Sequence, residues 1–336
     1  MRQAKHSFFK KVAASNKRYG HFDILAKVAA IEIDGIEVGL RYDDLRAVFD
    51  SQAQFSSQSN VAKRIKLAID FADNAFKTDT DLLRNRTMVQ SVLTLICRLI
   101  QSGKSAGAEK QIGNFGEIFL KELGHQVELR QRATEPDYLA FQRSINANVR
   151  SGARIRQEFL LRKLLAFDPA FIDMFDATVV SESGLQNAIN SDAAEITRLI
   201  GQTNEEYAAD QGGDLFKSTN KTTRAITRLS ASATDYDDYK QLIEDLYFLF
   251  HESVGTRLDG NVPQSFEDVN DLRTDLQHDL DHGKANKVRK KRQEVGQVFK
   301  KYAGVPSPTS LEPERFLVVQ SNLLSALSKD LHSLKR

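Results

Sequence analysis

Residues 235–250 read Asp-Tyr-Asp-Asp-Tyr-Lys-Gln-Leu-Ile-Glu-Asp-Leu-Tyr-Phe-Leu-Phe. Tyr239, Leu242, Ile243, Leu246, Leu249 and Phe250 recur at spacings of three and four, which puts them on one side of a helix with 3.6 residues per turn. Acidic Asp235, Asp237 and Asp238 stand at the start, where the positive end of a helix dipole favours them. The stretch predicts an amphipathic helix over residues 235–255 with a buried apolar stripe.

The same period extends outward in both directions. Val61, Ile65, Ala68, Ile69, Ala72 and Phe76 mark a stripe within residues 59–76, and residues 87–100 are apolar nearly all round, as a fully buried helix requires. Shorter helices are predicted over 22–33, 42–50, 111–123, 137–146 and 153–167, the last ended by Asp168–Pro169. Beyond a polar cluster at 180–184 come 185–209, a helix opened by Ser265 and Asp268 in the manner of a capping box, then 288–302 and 313–334. The expected fold class is all-α, as two helical-bundle domains over residues 1–180 and 185–336. Residues 30–40 are the exception. Ile31, Ile33, Ile36 and Val38 flank an Asp34–Gly35 turn signal, which reads either as a small β-hairpin or as a helix end with a tight loop.

Composition removes several function classes. The most apolar stretch, 88–95, meets Arg98 too soon for a membrane span, which needs about 18 or more apolar residues. Cys97 is the only cysteine, so neither a disulfide framework nor a cysteine-built metal site is expected, and a cytoplasmic setting follows. Gly103 to Gly107 and Gly212–Gly213 lack the strand and helix that frame a phosphate-binding loop, so no cofactor is expected there. The net charge is only +2, yet Lys284, Lys287, Arg289, Lys290, Lys291, Arg292, Lys300 and Lys301 are opposed by Glu294 alone. That run is a candidate nucleic-acid-binding surface, although a basic stretch is more often a solvated helix face.

Chemistry concentrates just before it. From Leu272 the chain reads Leu-Arg-Thr-Asp-Leu-Gln-His-Asp-Leu-Asp-His-Gly-Lys. Leu272, Leu276 and Leu280 anchor one face, and Arg273 and His278 stand about 140° and about 7.5 Å apart on the same helix. Such a pair suits cleavage of an RNA phosphodiester: an imidazole moves protons near neutral pH, and a guanidinium grips the phosphate in a planar, two-pronged contact. That chemistry needs no metal. His278 and His282, four apart, suggest zinc instead, but Asp279 replaces the Glu of a metalloprotease helix and His251 is the only upstream histidine in the domain. No metal site is therefore expected.

Arg273-Thr-Asp-Leu-Gln-His278 resembles the Arg-x4–6-His motif of HEPN-type domains. That resemblance implies a helical bundle, a homodimer with a composite cleft, and catalysis of RNA cleavage by Arg273 and His278. Thr274 stands where the family often has Asn, Asp or His, and inactive members serve as binding modules. Separately, Gln3-Ala-Lys-His-Ser-Phe-Phe-Lys, His21-Phe-Asp, residues 65–76, Arg84-Asn-Arg-Thr-Met-Val-Gln-Ser-Val and Arg156-Gln-Glu-Phe-Leu-Leu-Arg-Lys-Leu-Leu are similar to the helical C-terminal half of the GmrS-like (domain of unknown function 262) restriction family. This covers roughly residues 1–170. The family's Asp-Gly-x-Gln-Arg nuclease motif is not matched, because Ile36, Glu37 and Val38 follow Asp34–Gly35. The chain would then be a truncated or split form that needs a partner carrying the nuclease half. Two expectations follow: a helical nucleic-acid-binding or partner-binding component of an anti-phage restriction system, or a metal-independent endoribonuclease.

Overall fold

The computed structural model describes residues 3–52, 55–77, 81–146, 151–176, 179–180, 184–277, 285–309 and 311–334, with the backbone alone for Asp81, Leu82, Asn146, Asp275, Gln277 and residues 285–292. Every regular element among the described residues is a helix, with no strand among them, so the fold is all-α. The chain divides into two compact units, one built from Met1–Phe167 and Asp173–Ser183, the other from Asp168–Ile172 and Gly184–Arg336. No described helix is long and apolar enough to cross a membrane.

The first unit holds α1 (Gly20–Asp34), α2 (Tyr42–Ser51), α3 (Asn60–Ala75), α4 (Arg86–Gln101), α5 (Glu109–Leu129), α6 (Asp137–Asn146) and α7 (Gly152–Phe167). Helix α4 is the hub, packed by α1, α3 and α7. Met88, Val89, Val92, Leu93, Leu95, Ile96, Cys97 and Leu99 are all buried, which is why its sequence is apolar nearly all round. Asn85 caps it, accepting from the Thr87 and Met88 amides at 2.8 and 3.2 Å. Gly113 lets α5 approach the end of α3, since a Cβ there would lie 2.3 Å from the Ala75 carbonyl oxygen.

Arg156 of α7 is 3% exposed and has no carboxylate partner among the described residues. Its Nε donates to Ser91 Oγ at 3.0 Å and its Nη1 to the Ser144 carbonyl at 2.8 Å, while Gln157 Nε2 donates to the Ser91 carbonyl at 2.7 Å. Burial pushes the Arg156 guanidinium down to about 10.

The β-hairpin reading of residues 30–40 is corrected. Helix α1 runs through Ile31 and Ile33 to Asp34, and Gly35, at φ 88°, caps it with its amide on the Ile31 carbonyl at 2.8 Å. Ile24, Val28 and Ile31 are buried at spacings of four and three, so the helical period outweighs the alternation that suggested strands. The Asp34–Gly35 pair is thus a left-handed helix end rather than a hairpin turn.

The second unit comprises α8 (Leu185–Gln211), α9 (Asn220–Arg228), α10 (Tyr236–Tyr247), α11 (Gln264–Gln277), α12 (Ala285–Ala303) and α13 (Pro313–Leu334). Helices α8 and α13 pack together along Ile189, Ile196, Leu199, Leu323, Leu327 and Leu331. Tyr239, Ile243, Leu246, Phe266, Val269 and Leu272 close the core from α10 and α11. Buried Gln320 fastens the loop after α9, accepting from the Ala233 amide at 2.9 Å and donating to the Leu229 and Ala231 carbonyls at 3.2 and 2.8 Å.

The expected capping box of α11 does not form. Ser265 gives its amide to Asp330 Oδ2 at 3.0 Å, and Asp268, 2% exposed, is drawn inward. Asp268 receives Gln264 Nε2 at 2.9 Å, Lys301 Nζ at 2.7 Å and the Tyr302 hydroxyl at 2.5 Å. A tertiary network has recruited the residue that local spacing assigned to a cap.

Candidate nucleic-acid site around Arg273

Helix α10 does not stop at Tyr247. It passes into a π-helical turn, Phe248–Glu252, in which the Ser253 amide reaches back five residues to the Phe248 carbonyl at 3.0 Å. Leu249 and Phe250 are buried and hold the turn to the core, leaving Tyr247, Phe248 and His251 half-buried at its edge. The rings of Tyr247 and His251 stack with centroids 4.9 Å apart and planes 17° from parallel.

Arg273 arrives at the same place from α11, whose Phe266, Val269 and Leu272 are buried against that core. Its guanidinium carbon lies 4.2 Å from the centroid of the Tyr247 ring. Among the described side chains it has neither a hydrogen-bond acceptor nor an ion-pair partner, and its Nε is fully enclosed without one. The position is unusual for an arginine. Buried guanidinium N–H groups ordinarily find carbonyls or carboxylates, as Arg156 and Arg257 do in this protein. Thr274, beside it, is occupied by its own helix, donating to the Asn270 carbonyl at 2.8 Å.

A second basic element borders the turn. Lys221, Arg224 and Arg228 of α9 fall within about 60° of one another around the helix axis. Lys221 Nζ lies 4.3 Å from the Phe248 ring and 3.3 Å from Glu252 Oε1, while Arg228 Nε lies 3.4 Å from Asp245 Oδ2. Burial raises the Asp245 carboxyl above its usual range, against the pull of Arg228.

Of the residues singled out in the sequence, Arg273 is therefore placed and His278 lies outside the described residues, as do His282 and Lys284. Lys287, Arg289, Lys290, Lys291 and Arg292 belong to α12, but their side chains are likewise outside the described set. Lys301 is committed to Asp268, so it leaves the basic run, whereas Lys300 is exposed. No group of three His, Cys, Asp or Glu among the described residues is arranged to hold a metal ion. Sequence reading missed Tyr247, which Arg273 faces, and His251, which stacks on Tyr247. Their spacing of four at the end of an aromatic-rich helix was the available signal, but only the packing of α11 on that end joins them.

An aromatic face holds a guanidinium in place without consuming its N–H edge, which stays free for a planar anion. His251, whose ring nitrogens have no partner among the described residues, adds a second group able to donate to or accept from a phosphate ester. The sequence matches no family model, no curated protein and no solved structure.

Proposed function

We propose that the second unit binds RNA through its phosphate backbone, with Arg273 as the central contact. One observation carries this reading: a guanidinium stacked on Tyr247 with no hydrogen-bond acceptor or ion-pair partner among the described residues. The basic run from Lys284 to Arg292, together with His251 stacked on the same Tyr247 ring, supports a polyanionic ligand rather than a small isolated anion. By resemblance of the first half, the chain serves as the helical component of a bacterial anti-phage or restriction system, acting in the cytoplasm beside a partner that carries the nucleotide-dependent nuclease half.

The test is binding of a single-stranded RNA to the full chain, followed by fluorescence anisotropy across salt concentrations. Arg273→Ala should weaken binding about tenfold or more, the range of a charge-assisted contact of about 1.5–3 kcal/mol. Equal affinity in wild type and variant overturns the reading.

The same unanswered guanidinium supports a second reading, a metal-independent endoribonuclease in which Arg273 and His278 act together, as in a dimeric HEPN-type domain. It predicts RNA cleavage in the presence of EDTA that is lost in both Arg273→Ala and His278→Ala. Cleavage unchanged by either substitution sinks it.

A further inference from the structure

Ahead of α1 in the first unit, Ser15-Asn-Lys-Arg-Tyr19 is exposed at every residue, between buried Ala14 and buried Gly20. Arg18 (φ 56°, ψ 40°) and Tyr19 (φ 59°, ψ 37°) are both left-handed. This is the one place among the described residues where two successive residues other than glycine adopt that conformation, which a Cβ makes costly. The rest of the unit imposes it. Arg86, the first residue of α4, donates through Nε to the Ser15 carbonyl at 3.1 Å and through Nη2 to the Lys17 carbonyl at 2.9 Å, and Asn16 Oδ1 accepts the His21 amide at 3.0 Å. Gly20 leaves room for this clamp, since a Cβ there would strike the Ser15 carbonyl oxygen and the Arg86 guanidinium.

The strained turn gains no burial in return. Tyr19 is 82% exposed, and Phe22, in the first turn of α1, is 47% exposed. The Lys17 ammonium and the Arg18 guanidinium are also exposed, with no hydrogen-bond or ion-pair partner among the described residues. Asp23, the nearest carboxylate along the chain, is engaged by Lys27 at 3.0 Å. A turn that is strained, clamped from outside and spent on presenting a bare ring beside two unanswered cations is what a ligand-holding segment requires.

From this arrangement we infer that residues 15–19 bind single-stranded nucleic acid, with a base stacked on the Tyr19 ring and phosphates held by Lys17 and Arg18. Aromatic rings interleaved with cations are the combination that tracks an unpaired strand, because every base has a face to stack and every nucleotide carries a charge. A protein partner would place an apolar, charge-poor core around the ring, whereas the neighbours of Tyr19 are Ser15, Asn16, Lys17 and Arg18. A bilayer would have to take in the polar Ser15 and Asn16 with it. The inference stands on residues of the first unit and is independent of Arg273.

The decisive variant is Tyr19→Gly in the full chain, which removes the ring and relieves the left-handed strain together. Its melting temperature should rise, while its affinity for a single-stranded RNA, read by fluorescence anisotropy, should fall about fivefold or more. Lys17→Ala combined with Arg18→Ala should lower the slope of log affinity against log salt by roughly 0.7 for each cation, a slope that Tyr19→Gly leaves unchanged. Ultraviolet cross-linking and peptide mapping should place a nucleotide on Tyr19, and that cross-link should persist in Arg273→Ala, so failure of the second-unit site and failure of this one are read separately. Unchanged single-strand affinity in Tyr19→Gly, equal or tighter binding of the duplex of the same sequence, or no cross-link within residues 15–19 overturns the inference. A lower melting temperature in Tyr19→Gly also overturns it, because the ring would then serve the fold. So does loss of binding to phosphatidylserine vesicles or to a polyglutamate peptide in these variants with RNA affinity unchanged, which would assign the turn to a membrane or an acidic protein.

Discussion

The guanidinium of Arg273 and the ring of Tyr247 face each other at 4.2 Å, across the junction of α11 with the π-helical turn that follows α10. The contact joins two segments 26 residues apart into one surface, and among the described residues nothing pairs with the charged edge of the arginine. Its worth to folding is modest, on the order of 0.5–1 kcal/mol for a partly exposed pair. Its worth to ligand binding is larger, because it fixes where the guanidinium points.

That difference gives the first prediction. Tyr247→Phe retains the aromatic face and should leave RNA affinity within about twofold, whereas Tyr247→Leu should lower it about fivefold while costing about 1 kcal/mol or less of stability. Anisotropy and urea titration on the same preparations separate the two effects. Equal affinities for the Phe and Leu variants would show that the ring does not position Arg273.

Asp245 gives a prediction about pH. It is buried, and its raised carboxyl means that the folded state holds a proton more tightly than the unfolded chain, whose value is near 3.8. Stability is then greatest below that value and declines as pH rises through the interval above it. Asp245→Asn removes this dependence. It should match or exceed wild type by up to about 1 kcal/mol at pH 7, where the buried charge is a cost, and lose that advantage near pH 4. Thermal melts at the two pH values check the sign.

Arg156→Ala should destabilise the protein by about 2–4 kcal/mol, since it strands the Ser144 carbonyl in a dry interior and opens a cavity beside α4. Arg156→Lys should recover little, because one ammonium cannot reach Ser91 Oγ and the Ser144 carbonyl from the two directions that the guanidinium serves. Chemical denaturation of the three proteins decides it. A lysine variant as stable as wild type would contradict the bidirectional role.

Gly113→Ala should cost about 2 kcal/mol or more, because its Cβ would meet a backbone oxygen at 2.3 Å and neither helix can yield by moving a side chain alone. Gly124→Ala, on the same helix with open space around it, should instead be neutral or slightly stabilising. The pair of melting temperatures is its own control.

The helices were legible because burial imposes a period on sequence. The stripe at Tyr239, Ile243 and Leu246 and the apolar belt of residues 88–99 could be read directly from spacing, and both are buried as that period requires. What could not be read depends on contacts between distant segments. Asp268 looked like a cap residue until Tyr302 and Lys301 were brought to it, and Ile31 and Ile33 looked like strand positions because β-branched residues favour strands only where local preference is left undisturbed by packing. At the candidate site, Arg273 was identified by its neighbours along the chain. Tyr247, over whose ring it lies, and His251, stacked on that ring, carry no motif that links them to it.

The π-helical turn has a consequence for how this region tolerates change. Such a turn is equivalent to one residue inserted into an α-helix, so its geometry is stored in the count of residues and not in their identity. Deleting one of residues 248–250 would let the segment relax into a regular helix and bring His251 to the third position after Tyr247 instead of the fourth. His251 would leave the face of Tyr247 although neither ring had been replaced. Substitution scans would miss this sensitivity, and a deletion scan would reveal it as a sharp loss at the three consecutive positions between Tyr247 and His251.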